Sequence, residues 1–152
     1  MNWTTLLEQH RVEKRAATKP ELDELRAKVQ AKLHHVELAE KADFEAGERF
    51  SLAYDAARLG AVLAIRAAGY RVRVQGGHYN TFLALRAALG ASAEKTADYL
   101  DQCRIARNKD EYGAGSAVTD TEADELAKEA RELWNTVEAW ITSRHPALKM
   151  TP

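Results

Sequence analysis

The residues best placed to do chemistry lie in one stretch, YLDQCRIARNKDEY, residues 99–112. Arg104, Arg107, Asn108 and Glu111 stand three or four apart, so a helix puts them on one face. Arginine presents a planar fork of donors suited to phosphate or carboxylate, and Asn108 adds an amide beside it. The plainer reading of the same spacing is a solvated face laced with ion pairs such as Arg104–Glu111. Charge distribution supplies a second signal. From Ala56 to Ala93 there are five arginines (58, 66, 71, 73 and 86) and no Asp or Glu, and His78 adds a titratable donor. Such a stretch can border a groove for an anion or RNA. It can equally pair with residues 120–138, where seven acids face two bases. Asp55 and Arg58, just before the basic stretch, either reach the Arg107 cluster or pair with each other.

Other chemistries lack their residues. No His-x-x-x-His pair exists, His34 and His35 are adjacent, and there is one cysteine, so neither a metal site nor a disulfide framework is expected. Neither a phosphate-binding Gly-x-x-x-x-Gly-Lys loop nor a dinucleotide-binding Gly-x-Gly-x-x-Gly turn is present, and no cofactor is expected. Cys103, inside a helix, reads as a packed thiol, and Trp3, Trp134 and Trp140 as core or interface anchors. Twenty-two Lys and Arg against 23 Asp and Glu give a net charge of −1, so any nucleic-acid role needs a local basic patch. No apolar run is long enough for a membrane and no leader peptide is evident, which points to a cytoplasmic protein.

The elements that must carry these residues read as helices throughout. Ala, Leu, Glu, Lys and Arg dominate, and Tyr70 to Val74 is the one strand-like fragment. A first helix is expected over about Trp3 to Ala17. A second, opened by Thr18-Lys19-Pro20, runs to about Lys41 with Leu22, Leu25, Val29, Leu33 and Val36 on one side. The third, about Asp43 to Ala68, is apolar on most sides and marks the central helix, closed by Gly69. Residues 69–79 read as a loop, and a fourth helix spans about Asn80 to Leu89. A fifth, capped by Ser92, spans about Ala93 to Asn108 and stops at Gly113-Ala114-Gly115-Ser116. The last runs from Thr119 or Asp120 to about Arg144, burying Leu126, Ala130, Leu133, Trp134, Val137 and Ile141. The expectation is an all-α bundle of five to six helices. Residues 1–41 form an N-terminal helical arm of the same fold unit, and residues 42–146 the bundle proper.

The order RFSLAYDAARLGAVLAIRAAGYRVR, then GGHYNTFLALRAALG, then LDQCRIARNKDEY, then a long amphipathic helix, resembles the HEPN superfamily (higher eukaryotes and prokaryotes nucleotide-binding), over about residues 44–144. The resemblance implies an up-and-down helical core that commonly dimerises, with the Arg-Asn helix ends of two protomers close together. Many members are metal-independent ribonucleases; others are toxins of toxin–antitoxin pairs or partners of nucleotidyltransferases. Their site is an Arg, usually followed by a polar residue, with a His four to six residues further on. Carried over, Arg107 fills the Arg position and Asn108 the polar one, while Tyr112 stands in the His position. A tyrosine with pKa ~10 is a poor base at neutral pH, where His at ~6.5 serves well. Binding of RNA or a nucleotide therefore survives this replacement better than cleavage. The expected site comprises Arg107, Asn108 and Tyr112, with Arg104, Arg71, Arg73 and His78 as binding residues. In an enzyme, Tyr112 or His78 would move the proton. The competing expectation is a non-enzymatic homodimeric interaction protein with this cluster at its interface.

Overall fold

The structure is a computed structural model that describes residues 1–111 and 118–152, with the backbone alone at 110 and 111. Tyr112 and the Gly113-Ala114-Gly115-Ser116 stop lie outside the described residues. The elements are α1 (Trp3–Glu8), β1 (Val12–Lys14), α2 (Lys19–Lys41), α3 (Ala46–Ala67), β2 (Tyr70–Val72), α4 (Gly77–Leu89), α5 (Glu94–Glu111) and α6 (Asp120–Arg144). The result is a helical bundle with a small two-stranded sheet at one end.

Three helices form for the reasons their sequences give. Thr18 caps α2 through a reciprocal capping box with Glu21, and Pro20 sits in the first turn, where a missing N–H costs nothing. Thr119 and Glu122 build the same box at α6. Central α3 packs against α2, α4, α5 and α6, and its alanines 53, 56, 57, 61 and 64 are buried to within 1%. Leu22 and Val36 of α2 share that core with Leu126, Leu133, Val137 and Ile141 of α6. Burying side chains of this size contributes about 1.5–3 kcal/mol each for the large ones.

The N-terminal region differs from the expected long first helix. Helix α1 ends at Glu8, His10 takes a left-handed turn at φ 56°, and the chain returns as β1, antiparallel to β2. Val12 pairs with Val72 and Glu13 with Arg71. Residues 69–79 are therefore part strand and part helix rather than loop. Trp3 stacks on Tyr70 with ring centroids 3.9 Å apart. Leu6, Val12, Ile65, Leu83 and Ala84 close a second, smaller core beneath the sheet.

Helix α4 starts at Gly77, three residues earlier than its expected Asn80, because Gly76 turns at φ 90°. A Cβ at Gly76 would lie 2.3 Å from Asn80 Nδ2, the donor that reaches back to the Gln75 carbonyl. Ser92 does not cap α5; its hydroxyl donates to the Leu89 carbonyl inside a 3-10 turn, Gly90–Ala93. No helix among the described residues is long and apolar enough to cross a membrane.

Candidate functional site

Helix α5 lies against α3 and α4 so that Arg107 meets three α3 side chains. Its Nε donates to Ser51 Oγ at 3.2 Å, and its Nη2 lies 3.5 Å from Asp55 Oδ1. Its guanidinium carbon sits 4.9 Å from the Tyr54 ring centroid, within cation–π range. The Asp55 contact is longer than the ~2.7–2.9 Å of a tight charge-assisted bond. Asp55 also lies 4.0 Å from Lys32 Nζ. The Arg107 side chain keeps 19% of its surface exposed.

Behind Arg107, Tyr54 is fully buried and its hydroxyl is 2.9 Å from His78 Nδ1. Burial pushes the Tyr54 phenol well above its ordinary pKa, so it keeps its proton. If Nδ1 carried the hydrogen, it would donate to the phenol oxygen and leave the phenol proton with no acceptor among the described residues. Tyr54 therefore donates, and His78 takes the tautomer that carries its hydrogen on Nε2. Burial lowers the His78 pKa, with Arg58, Arg107 and Arg104 adding to it against Asp55. His78 is a neutral ring with an N–H donor on its free side.

One residue along α4, Tyr79 is 41% exposed. The guanidinium carbons of Arg11 and Arg104 each stand 5.6 Å from its ring centroid. Arg104 also pairs with Asp101 at 2.8 Å, and Arg11 donates to Asn80 Oδ1 at 2.7 Å. An exposed aromatic bracketed by two guanidiniums can stack a base while its neighbours hold phosphate.

Of the residues expected from sequence, Arg104, Arg107 and His78 thus meet around Tyr54 and Tyr79. Asn108 follows Arg107 but is exposed. Arg71 pairs with Glu13 across the sheet. Arg73, exposed, lines the neighbouring clefts. The acid-free stretch does not pair with α6. Arg66 contacts Glu21, Arg71 contacts Glu13 and Arg86 contacts Asp98, while the α6 acids Asp120 and Asp124 bind Arg49. Asp55 joins Arg107, and Arg58 lines the cleft beside His78.

Ser51, Tyr54 and Tyr79 were missed. The signal was present: Ser51, Asp55 and Arg58 recur at i, i+4 and i+7 as a polar seam in an otherwise alanine-rich helix. Among the described residues no three His, Cys, Asp or Glu side chains are grouped to hold a metal. Cys103 is buried with its thiol pushed up to about 11, chiefly by burial, which leaves it inert at neutral pH. No family model, no curated protein and no solved structure matches this chain.

Proposed function

We propose that the chain is a HEPN-type helical module that binds RNA or a nucleotide on the face formed by α3, α4 and α5. The observation that carries this reading is the convergence of Arg104, Arg107 and His78 on two tyrosines, one buried and one exposed. Arg104 and Arg107 hold phosphate oxygens, His78 donates from Nε2, and Tyr79 stacks a base. A homodimer, with an antitoxin or nucleotidyltransferase partner in a bacterial cytoplasm, is the setting the sequence resemblance suggests.

The geometry favours binding over turnover. For His78 to abstract a 2′-OH proton, it would need a free basic ring nitrogen. The His78 tautomer set by Tyr54 spends Nδ1 on the phenol and carries hydrogen on Nε2. Incubation with single-stranded RNA in the absence of metal should give a retarded complex and intact RNA. Tyr79→Ala and Arg104→Gln, both at the surface, should each weaken that complex. Base–aromatic stacking alone is worth about 1–3 kcal/mol. Cleavage by the wild type that Arg107→Gln abolishes would reject the binding-only reading. Absence of any complex would reject the module's proposed role.

A second reading has one observation in its favour. Ile105, on α5 between Arg104 and Arg107, is 44% exposed. An interaction protein would cover this residue with a second copy. Ile105→Glu would then abolish dimerisation in light-scattering mass measurements and leave RNA affinity unchanged.

A further inference from the structure

Next to the Arg107 cluster, a cleft of about 350 Å³ opens between α3, β2 and the start of α4. Its apolar wall is Val62, Ile65 and Val72, and its polar rim is Arg58, Arg66, Arg71, Arg73 and His78. Among the described residues no carboxylate lines it. His78 belongs both to this rim and to the Tyr54 hydrogen bond, so the cleft is continuous with the face described above.

The four guanidiniums are not equivalent. Arg66 is consumed by the carbonyls of Arg15, Ala16 and Tyr70 and by Glu21. Arg71 is neutralised by Glu13. Arg58 Nε is buried with no hydrogen-bond partner, and among the described residues no carboxylate lies within ion-pair distance of Arg58 or Arg73. Arg86 Nε is buried without a partner as well, yet Arg86 pairs with Asp98; what sets Arg58 apart is its place in the cleft wall with no carboxylate of the described residues in ion-pair reach.

Two uncompensated positive charges beside an N–H donor match a dianion. A terminal phosphate monoester carries close to two negative charges at neutral pH, whereas an internal phosphodiester carries one. We infer that this cleft receives the terminal phosphate of the RNA or nucleotide whose base lies on Tyr79, held by Arg58, Arg73 and His78. The chain then reads phosphorylated ends rather than the interior of a strand. This inference rests on the proposed RNA- or nucleotide-binding role and narrows its ligand class.

The test measures, on the full chain, the affinity of one short single-stranded RNA in three forms: with a 5′-phosphate, with a 3′-phosphate, and with hydroxyls at both ends. Adenosine monophosphate and inorganic phosphate serve as competitors. The expected result is that one phosphorylated form binds roughly tenfold tighter than the hydroxyl form, or about 1.4 kcal/mol. Arg73→Gln, at an exposed position where folding is not at issue, should erase that advantage, so that phosphorylated and hydroxyl forms bind it alike. Arg58→Gln should do the same. Equal affinity for all three RNAs, or an advantage that survives both substitutions, would overturn the inference. If the hydroxyl form still binds and is weakened by Arg104→Gln, the broader role stands while the end-recognition fails; if no form binds, both fail.

Discussion

Arg26 and Arg107 are the same residue type used in opposite ways. Arg26, on α2, has a side chain only 3% exposed. It donates to Glu138 at 2.9 and 3.1 Å, to Asp23 at 2.8 Å and to the Leu148 carbonyl at 2.6 Å. Burial opposes its charge, but Glu138 and Asp23 outweigh that and raise its pKa further. Arg107 is more exposed, with longer contacts of 3.2 Å to Ser51 and 3.5 Å to Asp55. The first region spends its guanidinium on joining α2, α6 and the C-terminal turn. The second lays a partly exposed guanidinium over the buried Tyr54 ring, oriented by neighbours rather than enclosed by them. Burial and closeness of fit, not residue type, separate a structural arginine from a candidate binding one.

Breaking the first region should give the largest effect. Arg26→Ala leaves the largely buried Glu138 without this partner and should lower unfolding free energy by about 3–5 kcal/mol, as removal of one partner of a buried pair does. Chemical denaturation would measure it, and RNA affinity of the remaining folded protein should not change. Arg107→Gln should reverse the pattern. RNA affinity should fall about tenfold or more, equivalent to roughly 1.4 kcal/mol, while stability falls by no more than about 1 kcal/mol. Equal destabilisation by the two variants would erase the distinction.

Smaller changes sharpen it. Tyr54→Phe removes the donor to His78 and should cost about 1 kcal/mol, the usual worth of one hydrogen bond. Burial and the neighbouring arginines, which lower the His78 pKa, remain in this variant, so imidazole resonances should show it still below 6.5. The pH effect is the smallest. His78 titrates below 6.5 when folded, so between that lowered pKa and 6.5 the unfolded chain binds more protons and stability rises with pH. Its contribution is complete above 6.5 and is lost as pH falls through the folded pKa. The melting difference between wild type and His78→Asn should therefore shrink on acidification from pH 7 to pH 5.

The periodic parts of the molecule were legible in advance. Leu22, Val29 and Val36 of α2 and Leu126, Leu133, Val137 and Ile141 of α6 are buried as their spacing requires, and both caps are written in Thr-x-x-Glu. The sheet was not legible. Residues 11–17 favour a helix locally, and only pairing with residues 70–72, far along the chain, makes 12–14 a strand. At the site, Arg104 and Arg107 were readable from spacing within one helix. Tyr54 and Tyr79 were not, because their roles depend on which helices α3 and α4 meet, and an aromatic in an apolar helix reads first as core. Lone arginines are harder still: nothing local separates Arg26, fully satisfied at long range, from Arg58, which is not.

The most direct measurement is the salt dependence of single-stranded RNA affinity for the wild type and for the Arg104→Gln, Arg107→Gln double variant. Each phosphate neutralised on a single strand contributes about 0.7 to the slope of log affinity against log salt concentration. If both guanidiniums hold phosphate, affinity should fall linearly with salt and the double variant's slope should be shallower by about 1.4. An unchanged slope, or no salt-dependent binding in the wild type, would contradict the assignment of this face to a phosphorylated ligand.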